Sequence, residues 1–259
     1  MAARSVGRTG ARMAACVDSS WCAMVLAGGF GTRVAALRPE VPKPMIEVGG
    51  RPFLAWVIDW LASAGLRRFV ISTGHLAEVI ERYFAAAPRD GRTIACVRES
   101  APLGTAGAVA ECRAQSAPAR VWVVANGDSI VLAELSAAVA RWQAGGMDAL
   151  VVGVRVADTG RFGSLEIDAD GWLRGFHEKR PGAGVINAGV YLLSDAVVRG
   201  FDSRRPLSLE RDVFPALVSA GRRIGVHETD APFLDIGTPE SLAAAEAFAR
   251  AHLRGKERA

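Results

Sequence analysis

The chain has 259 residues, of which 50% are hydrophobic and 22% are charged, and its mean hydropathy is +0.19. This composition supports a well-buried core and excludes a disordered chain, while the length fits one large α/β domain. No run approaches about 18 consecutive apolar residues, so the sequence predicts no membrane-spanning helix and no membrane partner.

The formal net charge of +4 and the pI near 9.2 indicate anionic partners. The arginines are scattered and no nucleic-acid-binding module is recognisable, so phosphorylated small molecules account for the charge and no nucleic acid is expected. The four cysteines form no CxxC pair, which disfavours a disulfide framework or a zinc site and favours a reduced, cytoplasmic protein. The oligomeric state stays open, with a homo-oligomer among the alternatives.

Short apolar runs alternate with amphipathic segments through the first half of the chain. The runs predicted as strands are 22–27, 67–74, 93–97 and 121–126. The segments predicted as helices are 52–64, 75–87 and 105–116. This alternation predicts an α/β fold with a Rossmann-like, mostly parallel sheet flanked by helices.

After residue 146 the pattern becomes antiparallel, with a turn at 168–171 between two strand-like runs. Strands are predicted at 148–156, 162–168, 172–178 and 185–193, and helices at 208–220 and 239–253. We therefore expect a single domain over 21–254 with an antiparallel substrate-side subregion. Residues 1–20 are expected to form a disordered or loosely ordered extension, since they lack the apolar segment of a secretory signal, and 255–259 to form a polar tail.

The first strand leads into the sequence LAGGFGTR, residues 26–33. The motif is not a P-loop, because no Lys-Ser or Lys-Thr pair exists in the chain, and it lacks the third glycine of a dinucleotide fingerprint. It offers exposed backbone N–H groups followed by the guanidinium of Arg33, a combination suited to a polyphosphate. A plain strand-to-helix turn is the alternative for this octapeptide taken alone.

Three loops are expected to open onto one crevice, because ligands of open α/β sheets bind beyond the carboxyl ends of the strands. They are the glycine loop, residues 98–108 and the sequence NGDS at 126–129. Asp128 ends an apolar strand, and Asp235 in FLDIGTPE follows another apolar pair. Two carboxylates beside a polyphosphate would hold Mg²⁺, with Mn²⁺ as a substitute; a turn-capping role for Asp128 is the alternative.

Lysine and asparagine are scarce, with lysine only at 43, 179 and 256 among 31 basic residues and asparagine only at 126 and 187. The Ala/Arg/Gly-rich composition disfavours both residue types, so a chemical reason is expected for the four that lie in motifs, whereas Lys256 lies in the predicted polar tail.

The motifs LAGGFGTR, PKPM at 42–45, PLGTAGA, NGD, EK at 178–179, INAGVY and DIGTPE occur in this order. The pattern covers residues 22–250 and resembles the sugar-1-phosphate nucleotidyltransferases. The resemblance implies a GT-A-like fold and an enzyme of the EC 2.7.7 class, which converts an NTP and a sugar 1-phosphate into an NDP-sugar and pyrophosphate.

The resemblance also implies roles for individual residues. Nucleotide binding falls to Leu26, Ala27, Gly28, Gly29, Gly31, Thr32, Glu99, Pro102, Gly104, Thr105 and Asn126. Catalysis falls to Arg33 on the departing pyrophosphate, Lys43 on the nucleotide phosphates, Asp128, and Lys179 on the sugar phosphate. The sugar phosphate site comprises Gly163, Glu178, Lys179 and Asn187, and the metal ligands are Asp128 and Asp235. No general base is required, because the nucleophile is already a phosphate oxyanion.

The motifs leave alternatives for the nucleotide base and for the sugar of the two substrates. A carboxylate at Glu99 suits the two N–H donors of guanine, although uridylyltransferases also carry an acid there and a solvated loop acid is the plain alternative. Within the family the chain most resembles guanylyltransferases of D-glycero-D-manno-heptose 1-phosphate, which serve surface polysaccharide synthesis. The features that carry this resemblance are the motifs NGDS and SLERDVFP (208–215) and a chain that ends soon after the DIGTPE helix. The alternatives are a mannose 1-phosphate guanylyltransferase, a uridylyltransferase for another sugar, and a catalytically dead nucleotide-sugar sensor or regulatory subunit.

Overall fold

A computed structural model describes residues 17–31, 38–86, 90–178, 181–202 and 206–253, without the side chain of Glu178. The structural statements below refer to these residues. Thr32, Arg33 and Lys179 lie outside them, as do residues 1–16 and the 255–259 tail. The roles predicted for these three residues therefore stay predictions, as does the single-domain boundary.

Thirteen strands and seven α-helices make up the described chain. The strands are β1 Trp21–Ala27, β2 Glu47–Val48, β3 Arg51–Pro52, β4 Arg68–Thr73, β5 Thr93–Arg98, β6 Val121–Asn126, β7 Ser129–Val131, β8 Ala149–Val156, β9 Gly163–Ile167, β10 Leu173–Glu178, β11 Gly184–Ser194, β12 Ile224–Thr229 and β13 Phe233–Asp235. The helices are α1 Phe53–Ser63, α2 Ala77–Ala86, α3 Gly104–Ala114, α4 Leu135–Gln143, α5 Asp195–Val198, α6 Phe214–Ser219 and α7 Pro239–His252. A 3₁₀ helix at Lys43–Met45 and a π-helix at Leu209–Val213 complete the elements, and no described helix is long and apolar enough to cross a bilayer.

The main sheet has the strand order β10-β9-β11-β6-β1-β4-β5, and β8 pairs with both β11 and β12. Strands β1, β4, β5, β6, β8, β9 and β12 run in one direction, and β10 and β11 run against them. The predicted mostly parallel sheet with an antiparallel subregion is therefore confirmed.

Both faces of the sheet are covered, as the continuous apolar strands predicted. Along β1, Ala23 and Val25 join the core on one face, while Cys22 and Met24 join the core on the other. Successive strand residues point to opposite faces, so an unbroken apolar run is what a strand buried on both faces requires.

The helix predicted over 208–220 differs from a regular α-helix in its first turns. Its opening residues form the π-helix, in which the Val213 N–H donates to the Ser208 carbonyl five residues earlier at 3.0 Å. Pro215 has no N–H to donate to the preceding turn, and regular α-helical geometry continues only through α6.

Strands β2, β3, β7, β12 and β13 and helices α4 and α5 were not predicted. The strands β7 and β13 have three residues each, too short for a hydrophobic period to show. They pair with each other as a separate two-stranded sheet, and this pairing matters for the site.

Candidate active site

The carboxyl ends of β1, β4, β5 and β6 meet at one edge of the sheet, since these strands are parallel. A cavity of about 320 Å³ opens there. Among the residues predicted to bind the nucleotide, those lining it are Leu26, Ala27, Gly28, Gly29, Gly31, Glu99, Pro102, Gly104, Thr105 and Asn126. Lys43 and Asp128 line the same cavity, so the structure brings the described part of this predicted set together.

Two glycines of the loop after β1 make room for side chains from other segments. A Cβ on Gly28 would overlap the Glu99 carboxylate, and a Cβ on Gly31 would lie 2.8 Å from the Lys43 Cβ. Gly31 also has a φ of +57°, a conformation that side-chain-bearing residues rarely adopt. These glycines therefore admit Glu99 and Lys43 to the cavity wall, besides leaving the backbone N–H groups accessible.

The Glu99 carboxylate is held at both oxygens. The Ser72 hydroxyl donates to Oε1 at 2.6 Å, and the Leu103 backbone N–H donates to Oε2 at 3.2 Å. Ser72 is 1% exposed at the end of β4. Ser72 was not among the predicted site residues, because a serine in an apolar strand carries no motif.

Lys43 lies in the short 3₁₀ helix between Pro42 and Pro44. Its Nζ donates to Asp128 Oδ2 at 2.5 Å, and its side chain is only 10% exposed. Lys43 was predicted to contact nucleotide phosphates; in this structure its ammonium neutralises the acid that follows β6.

The two-stranded β7–β13 sheet brings Asp235 close to Lys43 and Asp128. Residue 235 pairs with Ser129 in the β7–β13 ladder, and the Ile236 N–H donates to the Asp128 carbonyl at 3.0 Å. The Asp235 carboxylate accepts the Gly237 N–H, and a Cβ on Gly237 would lie 3.1 Å from Lys43 Nζ. Two carboxylates and one ammonium thus converge beside the cavity.

This donor set fits a hard divalent cation, which binds one or two carboxylates together with phosphate and water oxygens. Within the described ranges no group of three or more His, Cys, Asp or Glu side chains is arranged to hold a metal. A cation held by Asp128 and Asp235 would therefore take its remaining ligands from the substrates and from water.

A second cavity of about 690 Å³ adjoins the first, and the two share Gly104, Thr105 and Asn126. Of the residues predicted for the sugar phosphate, Gly163 and Asn187 line it, and Asp235 lies at its wall. The backbone of Glu178 pairs with Gly163 in the β9–β10 ladder. The two cavities thus form one continuous crevice with the acidic pair beside it.

A chain of hydrogen bonds links the walls of the two cavities. The Asn187 amide donates to the Tyr191 hydroxyl at 2.7 Å, and that hydroxyl donates to Glu210 Oε1 at 2.7 Å. Glu210 Oε2 accepts from the hydroxyls of Thr105 at 3.2 Å and Ser208 at 2.9 Å. Burial, followed by the nearby Glu210 carboxylate, raises the pKa of Tyr191 well above its usual value, so this phenol stays a donor.

Tyr191 and Glu210 were not among the predicted site residues. Both lie inside motifs of the family resemblance, Tyr191 in INAGVY and Glu210 in SLERDVFP. A signal was therefore present, but the motifs alone do not show that the two side chains meet.

A larger groove of about 960 Å³ lies apart from this crevice, beside α2 and the β2–β3 hairpin. Val41, Met45, Val79 and Tyr83 are among its lining residues, and none of the described predicted site residues lines it. Because it lacks the converging acids and the glycine loop, its greater size does not make it the candidate active site.

The family model for nucleotidyl transferases matches residues 22–252. The chain therefore belongs to the nucleotidyl transferase family.

Two relatives of known name share about a third of their residues with this chain over the matched region. A mannose-1-phosphate guanylyltransferase of Mycobacterium tuberculosis is 34% identical over 223 residues, which cover 85% of this chain and 62% of that protein. A D-glycero-alpha-D-manno-heptose 1-phosphate guanylyltransferase of Aneurinibacillus thermoaerophilus is 30% identical over 225 residues, which cover 86% of this chain and 96% of that protein. The chain thus spans less than two thirds of the length of the mycobacterial relative.

Among solved structures, HddC from Yersinia pseudotuberculosis superposes with a TM-score of 0.78 at 30% identity, covering 88% of this chain and 98% of that chain. A second structure of the same protein, complexed with GMP-PN, matches with a TM-score of 0.77. These matches agree with the fold that the resemblance predicted.

Proposed function

We propose that the protein is a sugar-1-phosphate guanylyltransferase, which transfers GMP from GTP to a sugar 1-phosphate and releases pyrophosphate. The observation that carries the proposal is the continuous crevice, with Glu99 in one cavity, Asn187 in the other, and Lys43, Asp128 and Asp235 converging beside them. Family membership supports the same reaction class.

In the proposed reaction a sugar phosphate oxygen attacks the α-phosphorus of GTP, and the bond from that phosphorus to the bridging oxygen of pyrophosphate breaks. The nucleophile is already anionic, so catalysis consists of alignment and charge neutralisation. Lys43 supplies positive charge at the nucleotide phosphates. By the family resemblance, Arg33 binds the departing pyrophosphate and Lys179 binds the sugar phosphate. A Mg²⁺ ion held by Asp128 and Asp235 would neutralise further phosphate charge.

The proposal of guanine rests on Glu99. A carboxylate accepts hydrogen bonds only, which matches the adjacent N1–H and N2–H donors of guanine, whereas uracil presents one N–H between two carbonyl groups. The mycobacterial and Aneurinibacillus relatives are both named as guanylyltransferases. The HddC structure complexed with GMP-PN supports the same base.

D-glycero-D-manno-heptose 1-phosphate is the proposed sugar, on the motifs NGDS and SLERDVFP and the likeness to the Aneurinibacillus relative. Mannose 1-phosphate is the second candidate, favoured by the 34% identity with the mycobacterial relative.

The test is pyrophosphate release by the purified full chain across four NTPs and several sugar 1-phosphates. We expect the highest kcat/KM with GTP and the manno-configured heptose 1-phosphate. Faster turnover with UTP or dTTP would overturn the base, and a clear preference for mannose 1-phosphate would establish the second candidate. Nucleotide-sugar binding without turnover on any pair would identify a sensor instead of an enzyme.

A further inference from the structure

Ser72 is buried next to the carboxylate proposed to read the base. Its backbone is fixed in the sheet between Leu26 of β1 and Val97 of β5, which are its register partners. The side chain is 1% exposed and its hydroxyl lies 2.6 Å from Glu99 Oε1. A buried hydroxyl needs a hydrogen-bond partner, so this geometry sets the direction in which Ser72 donates.

The surroundings of Ser72 leave Glu99 as its charged acceptor. The Cys112 thiol on α3 is also within hydrogen-bonding reach of the serine, and burial raises the pKa of that thiol to about 12. The thiol is therefore neutral at physiological pH.

Glu99 has a second, independent anchor. The Leu103 N–H donates to Oε2 at 3.2 Å, and the Glu99 backbone N–H donates to the Thr73 carbonyl at 2.8 Å. The space where Gly28 would carry a Cβ is filled by the carboxylate. The orientation of the carboxylate plane is thus constrained before any ligand arrives.

The number of acceptor sites on the Glu99 carboxylate limits how many hydrogen bonds it can accept from a base. An ionised carboxylate has about four lone-pair sites, two on each oxygen. Ser72 occupies one on Oε1 and Leu103 one on Oε2, which leaves one site on each oxygen. The pairing edge of guanine carries two adjacent N–H donors, one for each remaining site, whereas hypoxanthine has only N1–H.

We propose that Ser72 is a positioning residue for base selection, which orients Glu99 so that both of its oxygens accept from guanine. The proposal rests on the proposed function, since it requires that the protein uses GTP. It assigns a role in nucleotide specificity to a residue that does not itself touch the nucleotide.

The test compares Ser72→Ala with wild type in steady-state kinetics using GTP, ITP and UTP, with the sugar 1-phosphate held saturating. We expect kcat/KM for GTP to fall about 10-fold, the effect of losing one hydrogen bond to a charged acceptor. The loss should appear mainly in KM, and the GTP-to-ITP ratio of kcat/KM should fall with it, because ITP lacks the second donor. A merely structural role would lower kcat/KM for all three nucleotides alike and leave that ratio unchanged.

Two further variants separate hydrogen bonding from packing. Ser72→Cys keeps a similar volume but donates weakly, so it should resemble Ser72→Ala; a wild-type ratio in this variant would contradict the proposal. Ser116→Ala is the control. It removes a hydroxyl that donates to the Cys112 carbonyl of α3, and it should keep the wild-type GTP-to-ITP ratio.

The outcomes distinguish the proposed base from the proposed role of Ser72. A wild-type enzyme that prefers UTP to GTP would overturn the proposed base and the role of Ser72 together. A wild type that prefers GTP to ITP, with Ser72→Ala unchanged in KM and in ratio, would overturn the role of Ser72 alone.

Discussion

The side chain of Lys43 is closely enclosed along its whole length. Its Cβ lies against Gly31 and its Nζ against Gly237, and at both positions the neighbouring residue has no side chain. The ammonium contacts Asp128 at 2.5 Å. An ammonium is a compact charge, whereas a guanidinium is broad and planar, so this pocket discriminates between two residues of equal charge.

We predict that Lys43→Arg lowers kcat/KM at least ~10-fold, mainly through the nucleotide. The larger head group would displace Asp128 or the glycine loop, and a shift of about 1 Å in the reacting groups can cost about 10²-fold in rate. The measurement is kcat/KM for GTP at saturating sugar 1-phosphate. Lys256→Arg, in the polar tail, is the matched control, and wild-type kinetics in Lys43→Arg would show that the lysine is not needed as such.

Glu210 lies in the π-helix, and its carboxylate accepts hydrogen bonds from Tyr191 and Thr105. Such π-helical turns are frequent at functional sites. Through Tyr191 the same element holds the Asn187 amide, whose oxygen also accepts from the Gly189 N–H at 3.0 Å.

Removing the hydroxyl in Tyr191→Phe should therefore raise the KM for the sugar 1-phosphate about 10-fold while the KM for GTP changes less than about twofold. The change breaks the link between Glu210 and Asn187 and removes one hydrogen-bond partner from each of these half-buried groups, at a cost of about 1 kcal/mol in stability. Kinetics with each substrate varied in turn, together with urea unfolding, separate the two effects.

Tyr83→Phe provides the control, because Tyr83 is the other tyrosine of the chain and lies on α2 beside the separate groove. Equal changes in both KM values for Tyr191→Phe would indicate general destabilisation instead of a role in positioning Asn187.

At the scale of the whole molecule, the acidic pair depends on two sheets meeting. Asp128 follows a strand of the main sheet, while Asp235 ends a strand of the small β7–β13 sheet. The Ile236 N–H bond to the Asp128 carbonyl joins the two segments. The junction that would hold the proposed cation therefore forms only in the folded chain.

Asp128→Asn and Asp235→Asn should each nearly abolish turnover and weaken Mn²⁺ binding while leaving the fold intact. The reason is that each removes one of two charged ligands from a site that otherwise uses substrate and water oxygens. Turnover with Mg²⁺ or Mn²⁺, Mn²⁺ binding by titration, and circular dichroism are the measurements. Asp170→Asn, at an exposed turn, should behave as wild type; full activity of the wild type in excess EDTA would show that no metal is required.

Much of the fold was predictable because its signals are local. Continuous apolar strands such as 121–126, alternating with amphipathic helices, predicted the parallel sheet, and the carboxyl-end rule predicted that Gly28, Glu99 and Asn126 would line one cavity. The short strands β7 and β13 were missed, since three residues show no period. The helix at 208–220 was predicted in position, but its π-helical start was not, because a bond between residues five apart, such as Val213 to Ser208, leaves no distinct hydrophobic period in the sequence.

By itself the sequence determined the layered architecture and the set of loops that form the crevice, because these follow from hydrophobic periodicity and from glycine and acidic residues after the strands. The resemblance of its motifs indicated the family. Only the tertiary structure decided that Ser72 holds Glu99, that Tyr191 joins Asn187 to Glu210, and that Lys43 contacts Asp128. Apart from Asn187 and Tyr191, which share β11, these contacts join residues on different segments, 19 to 85 positions apart in the chain. Their geometry depends on strand register and burial, which no local pattern of residues specifies.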